Sequence, residues 1–135
     1  MRRGPISVDL HAAAEPIMAI VLIASPWIFG FSHVNSAKVA AIIVGVLMLL
    51  AGAMTKWRLS VVRLIPLRMH FMTDLVIGAC LILSPFILGF SSNGAATRFM
   101  IIFGALELVA ALGTRWAPED EAVGSRRRSG VATAR

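Results

Sequence analysis

The chain has 135 residues, 58% of them hydrophobic, with a formal net charge of +6 and a mean hydropathy of +0.82. A water-soluble domain of this size could not cover so much apolar surface, so the composition excludes that class and favours a membrane protein. Most Lys and Arg residues lie near the N-terminus, between residues 56 and 68, or after residue 114, which follows the positive-inside rule and argues against a nucleic-acid-binding stripe.

The first half of the chain contains two apolar runs. Residues 1–10 form a short basic tail, and the first span is predicted at about residues 10–31. The second is predicted at about residues 37–54, and each is long enough to cross ~30 Å of hydrocarbon. Small residues recur every fourth position in the second span and predict a face for close helix packing; they are Ala37, Ala41 and Gly45.

A basic connection, residues 58–69, leads to the second half. Its charges and those just before it alternate with apolar residues, so the segment is predicted to lie at the membrane surface and to contact anionic lipid headgroups. An ordinary cytoplasmic loop remains the alternative. The basic residues are Lys56, Arg58, Arg63 and Arg68. The third and fourth spans are predicted at about residues 70–90 and 97–114, and residues 117–135 form a polar tail predicted to be disordered and cytoplasmic.

The two halves are copies of each other. Residues 11–57 align with residues 70–116 without a gap, at an offset of 59 residues. An ungapped match of this length indicates an internal duplication. The identical positions include His11/His70, Leu22/Leu81, Ile23/Ile82, Gly45/Gly104, Thr55/Thr114 and Trp57/Trp116.

The duplication predicts the topology. Each repeat contains two spans, so both repeats enter the membrane from the same side and are related by a pseudo-two-fold axis along the membrane normal. The predicted fold is therefore an all-α bundle of four transmembrane helices, with both termini in the cytoplasm. Trp27, Trp57 and Trp116 all fall at predicted membrane interfaces, as in an aromatic belt.

Each odd-numbered span ends in a Ser-Pro-aromatic motif followed by glycine. Pro26 cannot donate a hydrogen bond to the carbonyl of Leu22, so that carbonyl must be satisfied by Ser25, water or a neighbouring helix. Glycine is suited to the residue where a helix stops. The motif residues are Ser25, Pro26, Trp27 and Gly30 in the first repeat, and Ser84, Pro85, Phe86 and Gly89 in the second.

The duplicated triplet Ser25-Pro26-Trp27, with its second copy Ser84-Pro85-Phe86, resembles the SPW repeat family of small bacterial and archaeal membrane proteins. The resemblance covers about residues 11–116 and implies four spans with two copies of the motif. The second copy departs from the pattern, because Phe86 stands where the family has tryptophan. The resemblance implies a fold and a location in the cytoplasmic membrane, and it implies no activity.

Matched polar residues lie near the start of the first and third spans. His11 and Glu15 are four residues apart on one helical face, and His70 and Asp74 occupy the same places in the second repeat. Such pairs could shuttle protons or hold a cation, or they could serve only as local ion pairs. The four groups could ligate Zn²⁺ if the helices faced each other, but no His-Glu-x-x-His motif is present, so no metal site is predicted.

Glu107 is a further acidic residue predicted inside a span. It replaces Met48 of the first repeat and lies near the middle of the fourth span. A carboxylate at this depth is expected to be protonated or paired, with His11, His70 or another subunit as partners. It could hydrogen-bond between helices, handle protons or ions, or contact a partner.

The predicted function is that of a structural or accessory membrane protein, self-assembling or part of a larger complex, with no enzymatic activity and no cofactor. The alternative is an oligomeric proton or small-cation transporter that uses the candidate polar groups.

Overall fold

The structure, a computed structural model, describes residues 4–116. Four long helices dominate this part of the chain. They are α1 (Val8–Ile28), α2 (Asn35–Met54), α3 (Leu67–Ile87) and α4 (Gly94–Gly113), with two short strands, β1 (Ile6–Ser7) and β2 (Thr114–Arg115). All four helices are long and apolar enough to cross a membrane, which confirms the predicted all-α bundle of four spans. The predicted tail at residues 117–135 lies outside the described residues.

The third span begins three residues earlier than the prediction. Pro66 occupies the position before the helix, with φ −63° and ψ 148°. Its carbonyl accepts hydrogen bonds from the backbone N–H groups of Met69 and His70. Proline cannot donate a backbone hydrogen bond but suits the start of a helix, so α3 begins at Leu67.

The first and third helices end in the same way in both repeats. Gly30 and Gly89 each adopt a φ of +72°, in the left-handed region that a side chain disfavours. The next residue then donates its backbone N–H to the proline carbonyl of the motif, from Phe31 to Pro26 at 2.8 Å and from Phe90 to Pro85 at 2.9 Å. This glycine cap ends α1 and α3 about three residues before the predicted limits at residues 31 and 90.

The serine of each motif satisfies the carbonyl that the following proline leaves without a donor. Ser25 Oγ donates to the Leu22 carbonyl at 2.7 Å, and Ser84 Oγ donates to the Leu81 carbonyl at 2.8 Å. Of the three possibilities open from the sequence, the structure therefore shows the serine. The hydroxyl lets proline sit inside an apolar helix without a buried unsatisfied oxygen.

Each repeat folds as a tight helical hairpin, α1 on α2 and α3 on α4. The helices approach closely at glycine. A Cβ placed on Gly45 would lie 2.9 Å from the Ala19 carbonyl oxygen, and a Cβ on Gly104 would lie 2.6 Å from that of Gly78. The predicted small-residue face of α2 is buried along its length, as expected for helices that associate by close van der Waals packing.

The two hairpins exchange backbone contacts at their predicted cytoplasmic ends. Ile6 of β1 pairs in parallel with Thr114 of β2, and Ile65 makes the equivalent parallel bridge with Thr55. Each pairing joins the segment before one repeat to the end of the other repeat. Reciprocal pairings of this kind are what a two-fold relation between the repeats requires.

We expect Ser84→Ala to destabilise the fold by about 1–3 kcal/mol, because the Leu81 carbonyl would be left buried and unsatisfied. Pro85→Ala restores a backbone donor to that carbonyl, so the serine substitution should cost much less in the Pro85→Ala background. The measurement is a double-mutant cycle of unfolding free energies in detergent micelles. Equal costs in the two backgrounds would show that the hydroxyl does not compensate for the proline.

Candidate functional site

A cluster of five buried ionisable side chains lies between the two repeats, toward the end of the bundle that carries β1 and β2. We call it the polar cluster. It gathers all the candidate polar groups, which the sequence had placed on three separate spans, and each of them is at most 6% exposed. Its members are His11 and Glu15 on α1, His70 and Asp74 on α3, and Glu107 on α4.

The contacts within the polar cluster run mainly from one repeat to the other. His11 Nε2 lies 3.3 Å from Asp74 Oδ2, and His70 Nε2 lies 3.1 Å from Glu15 Oε2. One contact, between His70 Nε2 and Asp74 Oδ1 at 3.3 Å, joins residues four apart on the same helix. The spacing in the sequence suggested same-helix pairs. The structure shows that the histidine of each repeat also faces the acid of the other.

Two threonines fix the orientation of the histidine rings. Thr55 Oγ1 lies 2.7 Å from His70 Nδ1, and Thr114 Oγ1 lies 3.1 Å from His11 Nδ1. Each hydroxyl donates its one proton to a carbonyl in the preceding helical turn, that of Ala51 or Ala110. The hydroxyl must therefore accept from Nδ1–H of the histidine, which leaves Nε2 directed at the carboxylates.

These threonines were not among the predicted site residues. Thr55 and Thr114 are identical between the repeats, and both are fully buried. Their identity was the one signal in the sequence, although the pairing across repeats could not be seen without the fold.

Trp57 and Trp116 cover the polar cluster. They are only 6% and 7% exposed, so the prediction that they anchor the protein in a lipid-facing aromatic belt is wrong. Their indole N–H groups donate to the carbonyls of Gly52 and Ala111, at 2.9 and 2.8 Å. Each of these helix-end carbonyls also accepts the backbone N–H of the cap residue, Thr55 or Thr114. Trp27, by contrast, is 59% exposed, as a tryptophan of an aromatic belt has to be. Its position at the membrane interface stays a prediction.

The tryptophan rings also pack on the histidines across the repeats. The ring centroid of Trp57 lies 4.5 Å from that of His70, and the ring centroid of Trp116 lies 4.9 Å from that of His11. Both pairs are close to edge-to-face. The indoles therefore shield the imidazoles and join the two repeats at the same time.

The acids of the two repeats differ in length, and the residue at one neighbouring position differs in size in the opposite sense. Glu15 is one methylene longer than its counterpart Asp74, and it lies against Gly52, where an added Cβ would be only 3.2 Å from the carboxylate. The position equivalent to Gly52 in the second repeat is Ala111, which carries the methyl group that Gly52 lacks. The missing methyl group at Gly52 thus provides the room that the longer side chain needs.

Glu107 breaks the symmetry. It is buried on α4 and lies close enough to Asp74, His11, Glu15 and His70 for its charge to interact with theirs. Its counterpart in the first repeat, Met48, is an equally buried apolar side chain. The polar cluster therefore contains three carboxyl groups and two imidazoles in a largely apolar setting, an arrangement that can exchange protons or hold a cation.

Four apolar spans in two tandem hairpins, joined through buried polar groups, define a small multi-pass membrane protein. The sequence model of the SPW repeat domain matches residues 9–114. The chain therefore belongs to the SPW repeat family, as the duplicated motif suggested. No curated protein and no solved structure matches it.

We expect a strong energetic coupling between His70 and Glu15, because their contact crosses the repeats in a buried setting. A double-mutant cycle with His70→Gln and Glu15→Gln should give a coupling energy of about 1.5–3 kcal/mol, within the range for residues in direct contact. His33, in the exposed outer turn, provides the control: His33→Gln should show a coupling to Glu15→Gln below about 0.5 kcal/mol.

The same-helix pair provides the opposing test. If the sequence spacing alone governed the interactions, His11→Gln would couple to Glu15→Gln at least as strongly as His70→Gln does. That result would contradict the pairing across the repeats.

Proposed function

We propose that the protein is a structural or accessory membrane protein, which assembles with itself or beside a larger membrane partner. The observation that supports this is the set of contacts within the polar cluster. Its histidines and acids contact each other across the repeats, beneath two tryptophans. Groups used in this way hold the two hairpins together. We propose a location in the cytoplasmic membrane of a bacterium or archaeon, as the family implies. The charge distribution supports an orientation with both termini in the cytoplasm.

The proposal includes the absence of enzymatic activity. The serines of the motif, Ser25 and Ser84, are buried and donate their hydroxyl protons to backbone carbonyls of their own helices. A serine nucleophile needs a neighbouring base that accepts its proton, and here a carbonyl oxygen takes that place. These hydroxyls are therefore explained by the structure of the helix.

Two apolar grooves between the repeats support assembly. One, of about 560 Å³, lies between α1 and α4 and is lined by side chains such as Met18, Phe99 and Ile102. The other, of about 1020 Å³, lies between α2 and α3 and is lined by side chains such as Leu47 and Val76. Grooves of this shape on a lipid-facing surface suit a second transmembrane helix, which gains close packing that fluid lipid chains do not give.

The basic connection supports a position at the membrane surface. Lys56, Arg58, Arg63 and Arg68 are all exposed. Four large apolar side chains between them are exposed as well, namely Leu59, Val61, Val62 and Leu64, with Val61 at 84%. Exposed apolar side chains beside exposed cations are typical of a segment that lies in the headgroup region. We propose that these four residues contact anionic lipid headgroups.

We expect the full-length chain, extracted in mild detergent, to have a native mass above that of one chain, either as an oligomer or with a defined second membrane protein. Ile102→Trp, which fills the groove between α1 and α4, should weaken that assembly by at least about tenfold, through overpacking. Ile43→Trp provides the control, since Ile43 is similarly exposed and lines neither groove. A single chain of unaltered protein, free of any partner, would contradict the proposal.

Proton or small-cation transport is the second candidate, favoured by the convergence of His11, Glu15, His70, Asp74 and Glu107 in one buried cluster. Intramembrane carboxyl groups beside histidines are the usual components of proton relays. Four short spans leave little room for an aqueous path within one chain, so transport would require several copies.

Transport predicts that Glu107→Gln and Asp74→Asn each reduce proton or cation flux into liposomes by at least about tenfold, since each variant removes an ionisable group from the relay. His33→Gln, outside the polar cluster, should leave flux unchanged. Flux that is the same in both carboxamide variants as in the unaltered, equally folded protein would reject this candidate.

A further inference from the structure

We propose that the polar cluster is a binding site for a divalent transition metal of the Zn²⁺ class. The ligand atoms are His11 Nε2, His70 Nε2 and a carboxylate oxygen of Asp74, with a carboxylate oxygen of Glu15 in the fourth position. The sequence predicted no metal site because it could not show that the helices carrying these residues face each other.

The first support is a set of buried polar atoms that lack hydrogen bonds. His11 Nε2, His70 Nε2, Glu15 Oε2 and Asp74 Oδ2 are all inaccessible to solvent and make no hydrogen bond to any residue between 4 and 116. Buried polar groups are nearly always satisfied, and each exception needs an explanation. Two imidazole nitrogens and an Asp74 oxygen lie together without hydrogen bonds, with the Glu15 oxygen beside His70 Nε2, and an ion bound among them explains all four.

The distances fit such an ion. Ligand atoms of His11, His70 and Asp74 lie within 4.8 Å of one another, and Glu15 Oε2 lies 3.1 Å from His70 Nε2. Zn²⁺ binds histidine nitrogen and carboxylate oxygen at about 2.0–2.2 Å, so tetrahedral ligand atoms stand about 3.3–3.6 Å apart. The nitrogen–oxygen separations of 3.1–3.3 Å across the polar cluster are close to this spacing.

The symmetry of the fold fits the same geometry. The two histidines are counterparts in the two repeats, and so are the two acids. A ligand set related by a two-fold axis can be tetrahedral, because a tetrahedron with two pairs of unlike ligands has such an axis. Two imidazoles with two carboxylates are a ligand set suited to zinc, whereas Mg²⁺ and Ca²⁺ prefer oxygen ligands alone.

The surroundings of the histidines support metal binding further. Thr55 and Thr114 each accept Nδ1–H of a histidine and thereby direct Nε2 toward the centre of the cluster. Metal-binding histidines are held in this way by an oxygen on the opposite ring nitrogen. A bound divalent cation would also offset the negative charge of the carboxylates, which is costly to bury uncompensated.

The test uses the full-length chain, purified in mild detergent through a tag without histidine, stripped with a chelator and equilibrated with Zn²⁺. We expect about one Zn²⁺ per chain, retained through desalting. Co²⁺ in place of Zn²⁺ should give the intense visible absorption of a tetrahedral nitrogen and oxygen site. Asp74→Asn should weaken Zn²⁺ binding by at least about tenfold, whereas His33→Ala, in the exposed outer turn, should leave it unchanged.

A second variant keeps the test informative if Asp74→Asn does not fold. Thr114→Val retains every proposed ligand and nearly the same shape, and removing its hydroxyl from His11 should weaken Zn²⁺ binding about 10–100-fold. The proposal is overturned if the folded, unaltered chain retains less than about a tenth of a metal ion. It is also overturned if folded Asp74→Asn or Thr114→Val binds Zn²⁺ as tightly as His33→Ala. The metal content of the chain does not depend on its assembly. The test of metal binding can therefore fail or succeed independently of the test of the accessory function.

Discussion

The fold depends on the reciprocal contact between each histidine and the opposite repeat. His11 contacts Thr114 and Asp74, and His70 contacts Thr55 and Glu15. Within a bilayer, apolar surfaces gain little by leaving lipid for each other, so two hairpins need directional contacts or close packing to stay together. The close packing lies within each hairpin, at the glycines, while the contacts between hairpins are few. Buried hydrogen bonds and ion pairs therefore supply much of what joins the two halves.

The Ser-Pro motif lies at the other end of the same helices, where it provides a hydrogen-bond donor for a backbone carbonyl. Proline removes a backbone donor in a region where no water can replace it, and the preceding serine supplies a donor from its side chain. Glycine then turns the chain through a left-handed conformation. Nothing in this arrangement requires the aromatic residue of the motif to be tryptophan, and both Trp27 and Phe86 are exposed at 59% and 62%. The substitution in the second copy is therefore compatible with an unchanged helix end.

The sequence predicted the number and order of the spans because hydropathy and the repeat depend on local composition. From the chemistry of one proline it predicted that the Leu22 carbonyl needs a new partner, with Ser25 as one of three possibilities. It could not predict the pairing of His70 with Glu15. Residues four apart on one helix are the expected partners from the sequence, and the spacing of residues along the chain does not show which helices face each other. The burial of Trp57 was missed for a related reason: a tryptophan at a span end suits a lipid interface and the cover of a polar cluster equally well.

The exchange of contacts between repeats has a consequence for how the halves can differ. Every reciprocal side-chain contact described above could be formed by two separate copies of one hairpin, because each joins a residue of one repeat to a residue of the other. Two identical copies must bury carboxyl groups in even numbers. The described chain buries three, of which Glu107 has a methionine as its counterpart. An odd number of buried carboxyl groups is excluded for two identical hairpins. Carrying both halves on one polypeptide lets the halves differ, and so allows a single, unrepeated acid beside the symmetric set.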